Sequence, residues 1–407
     1  MMRTCSPVLL ALFLLPAPML AQTPERQAVE RAIARVGPAL VRILVAEKRF
    51  EGGREEKAAS AGSGFIIDAA GHIVTNHHVA GEAKRLIVTL ADRRQVEADL
   101  VGTDALTDIA VIKLRGGRTD YPFAAWGDSS ALRVGDVVLA MGSPLALSQS
   151  VTQGIVSNTE MVVPDFASGY SVELQGEDVG SMVRWIGHDA TIKPGNSGGP
   201  LVNLAGEVVG VNELEMGLAG AIPSNLARSV AAGLIANGRI RRGWLGIGAQ
   251  PLLRGSTVKS GVLVGGVVPK SPAAEAGLKA GDIITKVNGT DVSVRFSEEL
   301  PGFNQLLASL PIGSSAAVTV LRDGRETTLT MTVEERQESE PPARELRPWG
   351  MCAGNVSRAS ALDQGRKTTD GVLVWNVRAS GPAGSARPAL QGDDIIVAVD
   401  RKPVKDI

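Results

Sequence analysis

The chain has 407 residues, enough for two or three domains, with 42 Lys and Arg against 43 Asp and Glu and a net charge of -1. That balance supplies neither a basic face for nucleic acid nor an acidic tail, so partners selected by bulk charge are excluded. Aromatics at 3%, with 47 Gly and 22 Pro, point to short strands between tight turns and hence a mainly β protein.

Residues 1–21, MMRTCSPVLLALFLLPAPMLA, put Arg3 before an apolar run and end on small residues, the order of a secretory signal peptide, with the mature chain starting near Gln22. The alternative is a retained membrane anchor, but the run falls short of the roughly 20 residues that span a bilayer and is broken by Pro16 and Pro18. Cleavage removes Cys5 and leaves Cys352 alone, which excludes an intrachain disulfide in the oxidising compartment.

Residues 25–39 space Val29, Ile33 and Val36 at helical intervals, and Gly37-Pro38 ends that helix. From Gly62 the pattern becomes short runs rich in Val and Ile: GSGFIID, GHIVT, RLIVTL, QVEADLVG, DIAVIKL, DVVLAMG, SVTQGIVS and LVNLAGEVVGVN. Turn residues separate them closely, as in an antiparallel barrel or sandwich and not in a βαβ fold. Residues 158–184 are less regular and read as a loop. Residues 224–235, with Ser224 as N-cap, predict a closing helix, followed by the linker-like ANGRIRRG.

Downstream, GVLVGGVVPKSPAAEAGLKAGDIITKVNGTDV at 261–292 returns as GVLVWNVRASGPAGSARPALQGDDIIVAVDRKPV at 371–404, two copies of one module. Between them EERQESEPPARELRP has the composition of a solvated linker, so some independent motion of the modules is expected. The first copy continues into one helix and two strands. The second stops at Ile407, which points to incomplete folding of that module or a shortened gene product.

IKPGNSGGPLV sets Ser197 in a glycine-dense turn before a strand, an exposed position for a nucleophile. A serine needs a general base, usually histidine, and the histidine needs a group to fix its tautomer. GNSGG also fits the G-x-S-x-G elbow of α/β-hydrolases, but that fold needs a histidine after the serine, and none follows His188. A base upstream leaves the His-Asp-Ser order of the chymotrypsin type or the Asp-His-Ser order of the subtilisin type, and the strand-rich sequence favours the first. TDIAVIKL supplies Asp108 between the histidines and Ser197.

Taken together, GSGFIIDAAGHIVTNHHV, TDIAVIKL, VTQGIVS and GNSGGPLVN followed by GAIPSN resemble the HtrA/Deg family of exported serine proteases, and the repeats resemble PDZ domains. The resemblance implies a chymotrypsin-like double β-barrel at residues 22–235, a PDZ-like α+β module at 236–335, a linker at 336–345 and a partial second PDZ-like module at 346–407. It makes the fourth residue of Thr75-Asn76-His77-His78 the base, hence His78, with Asp108 orienting it and Ser197 attacking the scissile carbonyl. Backbone N–H groups of Gly195 and Ser197, with Asn196 shaping the turn, then occupy the oxyanion positions. His72 and His188 carry no expected chemistry. A His77-His78 metal pair is disfavoured, because neighbours on an extended chain point apart and no third ligand is close.

The resemblance further sets Thr191 at the base of the primary pocket and Leu214 and Leu218 on its opposite wall, which implies small to medium apolar side chains, with Glu213 and Glu215 complicating that picture. Asn196 precedes the serine where digestive relatives carry an aspartate, so activation by a new amino terminus is not expected. Control is expected in the loops at 158–184, 191–196 and 213–220. Trp244-Leu245-Gly246-Ile247 resembles a carboxylate-binding loop for peptide C-termini, with Phe303, Leu306 and Leu307 on the groove helix or in the core. Trp349-Gly350-Met351 is a rough second copy. The implied protein is an ATP-independent serine endopeptidase of the bacterial periplasm or envelope that acts on unfolded polypeptides, as a homotrimer, without cofactor, nucleic acid or stable membrane insertion. The alternative is a chaperone or peptide-binding adaptor that keeps the fold without proteolysis.

Overall fold

The computed structural model describes residues 23–143, 150–163, 173–174, 177–337, 342–366 and 368–407. The expected signal peptide, part of the loop expected at 158–184 and part of the expected linker at 336–345 lie outside these residues. No helix among the described residues is long and apolar enough to cross a membrane.

Helix α1 (Pro24–Val36) starts where Thr23 Oγ1 accepts from Arg26 N at 3.3 Å, and Pro24 occupies the first turn, where no donor is lost. Its Ala32 and Val36 are buried, with Val29 and Ile33 against the same core. The first barrel follows: β1 (Leu40–Glu51), β2 (Arg54–Ile66), β3 (His72–Thr75), the one-turn α2 (His77–Ala80), β4 (Ala83–Thr89), β5 (Gln95–Asp104) and β6 (Ile109–Leu114). The order β1-β2-β3-β6-β5-β4 closes because β1 pairs with both β2 and β4. Most of the β1–β2 hairpin precedes Gly62, where the sequence pattern was expected to begin. Its signature is nonetheless in LVRILV, whose Leu40, Val41, Ile43 and Val45 are buried. Each such side chain taken from water is worth about 1.5–3 kcal/mol.

The second barrel uses β7 (Val137–Gly142), β8 (Ser150–Met161), β11 (Trp185–His188), β12 (Pro200–Asn203), β13 (Val208–Glu215) and β14 (Ala219–Pro223), closed in the order β11-β14-β13-β12-β7-β8. Between β8 and β11 stands a small hairpin, β9 (Glu173–Leu174) with β10 (Glu177–Asp178). Helix α3 (Ser224–Asn237) packs over β5, β6 and β13 and buries Ala227, Val230, Ala231 and Leu234. Ser224 is not its N-cap. Pro223 takes that place, and the Ser224 hydroxyl donates instead to Gly127 O at 2.8 Å, tying the helix start to the barrel. Arg242, just beyond α3, forms a largely buried ion pair with Asp104, so the segment read as linker is anchored to the first barrel.

In the first module five strands, Ile247–Gln250, Val262–Val267, Ile283–Val287, Ser315–Arg322 and Arg325–Thr332, lie in that order in one sheet, covered by the helix Leu300–Ala308. The helix and two strands expected after the repeat are present. Phe303 and Leu307 point into this core, while Leu306 is half-buried. The second module has a four-stranded sheet, Arg344–Leu346, Met351–Asn355, Val372–Val377 and Ile395–Ile396, over a small core of Met351, Val374 and Ala383. Buried beside that core, the Cys352 thiol is pushed up to about 11 by desolvation and the nearby Glu345, which leaves it unreactive at neutral pH. Asn376 clasps the tip of the β1–β2 hairpin, accepting from Gly53 N and donating to Phe50 O, both at 2.8 Å.

Candidate active site

The two barrels meet where α2 leaves β3. Residues at successive helical positions diverge by about 100°, which separates the two adjacent histidines. His77 turns inward, buried, with Nδ1 at 2.5 Å from Thr103 Oγ1. Burial lowers its pKa, so its ring is a neutral structural group. His78 faces the cleft with its side chain 34% exposed, open to a reactant.

Asp108 follows a 3-10 turn and adopts the left-handed conformation at φ 51°, which Asp tolerates better than most residues. That turn aims a fully buried carboxylate at α2. Asp108 Oδ1 accepts from His78 N at 2.9 Å, and Oδ2 pairs with His78 Nδ1 at 2.7 Å. The Asp108 carbonyl accepts from His77 N at 3.0 Å and Asn76 Nδ2 at 2.9 Å, so backbone and side chain together latch α2. Burial works against charge on the His78 ring, but the charge and hydrogen bond of Asp108 outweigh it and raise the imidazole pKa above its usual 6.5. With Nδ1–H committed to Asp108, Nε2 is the free lone pair.

Ser197 is held between the barrels. Its carbonyl accepts from Ser63 N at 2.9 Å and its hydroxyl donates to Glu213 O at 3.3 Å. The turn needs its glycines. Gly195 has φ +102°, and a Cβ at Gly198 (φ +82°) would lie 2.3 Å from both Ser63 O and Thr75 Oγ1. Among the described residues no acceptor takes the N–H of Gly195 or of Ser197. Asn196, buried between them, donates its backbone N–H to Lys193 O at 2.9 Å. Ser63 braces the turn, donating to Gly195 O at 2.6 Å while accepting from Ser143 N at 2.8 Å.

Residues 62–211 match the family described as trypsin-like peptidase domain, and residues 243–333 match the PDZ domain family. The chain is 41% identical over 374 residues to the probable periplasmic serine endoprotease DegP-like of Pseudomonas savastanoi pv. phaseolicola, covering 87% of this chain and 73% of that protein. It is 35% identical over 370 residues to the periplasmic serine endoprotease DegP of Salmonella typhimurium, covering 88% and 72%. This chain belongs to the HtrA/Deg family. Among solved structures, the HtrA-type protease AlgW with decapeptide superposes with a TM-score of 0.63 at 30% identity, covering 77% of this chain and 99% of that one. The serine endoprotease from Yersinia pestis gives 0.57 at 34%, covering 78% and 100%. Family membership makes the chain a serine-type endopeptidase of the periplasm.

Thr191 is exposed, and its carbonyl accepts from Thr152 Oγ1 at 2.6 Å. Half-buried Leu214 packs over Gly220, where an added Cβ would come within 2.8 Å of its Cδ1, and half-buried Leu218 sits in the β13–β14 turn. His72 pairs with Asp68 at 2.6 Å. His188 is fully buried and its pKa is pushed down to about 4 by desolvation, with Asn212 and Asp189 opposing. No group of three metal-ligating residues occurs among the described residues. In the first module Trp244, Leu245, Gly246 and Ile247 line a groove of about 340 Å³ with Asn304 and Leu307, and no acceptor among the described residues takes the Leu245 or Gly246 N–H. Arg358 of the second module lies 4.6 Å over the Trp244 ring.

Sequence reasoning missed Glu213, Trp185 and Ser63. Glu213 appeared only as a charge near the pocket, yet it is buried. Alternation along β13 could not have found it, since residues 208–213 are all buried and the pairing register shifts between Asn212 and Leu214.

Proposed function

We propose that this HtrA/Deg endopeptidase cleaves peptide bonds by acyl transfer through Ser197, His78 and Asp108. The observation that carries the reading is the double hydrogen bond from one carboxylate to His78 N and Nδ1, which leaves Nε2 as the lone pair for the serine proton. As Ser197 Oγ bonds to the scissile carbonyl carbon, His78 Nε2 takes the hydroxyl proton and Asp108 stabilises the imidazolium. The carbonyl oxygen, now negative, is received by the untaken N–H groups of Gly195 and Ser197, with Asn196 shaping the turn. His78 then gives its proton to the departing amine as the C–N bond breaks. A water repeats the sequence to release the acid and restore the serine.

Thr191, Leu214 and Leu218 form the primary pocket in this reading, with a preference for small to medium apolar side chains. The domains run 22–235 for the protease, 236–335 and 346–407 for the PDZ-like modules and 336–345 for the linker. Trp244, Leu245, Gly246 and Ile247 receive a peptide C-terminus on backbone N–H groups, as the groove and its untaken amides support. The substrates are unfolded or damaged envelope proteins, cleaved without ATP or another cofactor by a homotrimer after removal of residues 1–21. Cleavage of casein by the wild type and its loss in Ser197→Ala test the reading. Silence in the wild type would favour the non-proteolytic chaperone.

A further inference from the structure

Glu213 links both sides of the candidate site. Its backbone carbonyl accepts the Ser197 hydroxyl, while its side chain is buried and feels the Asp108 carboxyl through charge and side-chain hydrogen bonding. Glu213 Oε2 accepts the indole N–H of the fully buried Trp185. Glu213 Oε1 has no donor among the described residues. Two neighbouring carboxylates that are both buried are not both charged unless a cation is paired with them. No Lys or Arg among the described residues forms an ion pair with either. The titratable groups that face the pair are His78, bonded to Asp108, and the inward His77, whose ring feels the Asp108 charge.

One proton must therefore sit between the two carboxyl groups, and the donors decide where. Asp108 already receives two N–H groups from His78, whereas Glu213 receives one from Trp185. The better-solvated anion is Asp108. We infer that Glu213 is a positioning residue for the triad, a neutral carboxylic acid that donates from Oε1 to Asp108 and so fixes that carboxylate from the side opposite His78. Desolvation first, and then the Asp108 charge, hold the Glu213 carboxyl well above its usual 4.5, in line with this geometry. The site thus keeps one net negative charge behind the imidazole.

The inference rests on the roles proposed for His78, Asp108 and Ser197, and its test reads the proton separately from turnover. Above pH 4.5 the unfolded chain ionises Glu213, so folding of the wild type takes up a proton and that cost grows with pH until the folded protein also releases it. Glu213→Gln carries no such cost and keeps an amide donor toward Asp108. Urea unfolding from pH 5 to 9 should show the Gln variant gaining on the wild type as pH rises. A difference that is flat or shrinks with pH overturns the inference, whether or not the enzyme is active. For kcat/KM on casein-derived peptides the expected order is wild type, then Glu213→Gln, then Glu213→Leu, with the Leu variant down about 10- to 100-fold for one charge-assisted hydrogen bond. A Leu variant equal to the wild type, or a Gln variant no better than Leu, overturns it as well. Should the Leu variant not fold, the Gln comparison still decides.

Discussion

Asp108→Asn isolates what the buried carboxylate does. Asp108 accepts two N–H groups of one histidine, at 2.9 and 2.7 Å, and an amide has only one acceptor oxygen. The arrangement without an N–H to N–H clash keeps the oxygen on the His78 backbone N–H and turns the NH2 toward Nδ1. That forces the proton onto Nε2, where no lone pair remains for Ser197. Reaching the productive tautomer then costs a mismatched hydrogen bond, about 1–2 kcal/mol. Losing the carboxylate charge beside the imidazolium adds roughly 4 kcal/mol at a separation of about 4 Å in the cleft. Together these predict a fall of about 10⁴-fold in kcat, in line with the usual effect of such a change. A quenched-fluorescent peptide assay reads it, with KM little altered because Asp108 is fully buried. An Asn variant within tenfold of the wild type would refute the reasoning.

His78→Ala should abolish peptide cleavage, whereas His77→Ala should keep turnover within a few-fold while losing about 1–3 kcal/mol of stability for the cavity and the lost hydrogen bond to Thr103, read by urea unfolding. Because the His78 pKa is raised and catalysis needs the neutral ring, kcat/KM should fall on the acid side with a midpoint above 6.5, as a pH-rate profile will show. The same raised pKa stabilises the fold fully below pH 6.5, a contribution lost as pH rises through the folded value. Gly198→Ala should leave little active protein by casein assay and circular dichroism, since its Cβ meets Ser63 O and Thr75 Oγ1 at 2.3 Å in a left-handed backbone.

The proposed nucleophile, its carboxylate and the order of the candidate site come from the sequence, because a serine needs a base, the fold favours one upstream, and the chain has only four histidines. The glycines around Ser197 stood out as a dense run: Gly198 and Gly199 stand where neighbouring atoms crowd in, and Gly195 where φ is positive. The outer part of the β1–β2 hairpin was not legible, since it is polar and solvated, and the buried residues of the two strands fall in Leu40 to Val45 and Gly62 to Ile66. Ser224 looked like a cap because hydroxyls favour that position, but the barrel carbonyl of Gly127 offered a tertiary partner that local propensity does not register. Glu213 was hidden for a deeper reason. A charged letter reads as exposed, and only the folded neighbourhood of Trp185 and Asp108 makes it a buried acid.

Activation of the Ser197 hydroxyl by His78 is the step on which the proposed function depends. Labelling the full chain with a peptidyl phosphonate and mapping the adduct by mass spectrometry tests it directly. One phosphonyl group on the Ser197 Oγ is expected in the wild type, and none in Ser197→Ala or His78→Ala. An adduct on another residue, or equal labelling of Ser197 without His78, would contradict it.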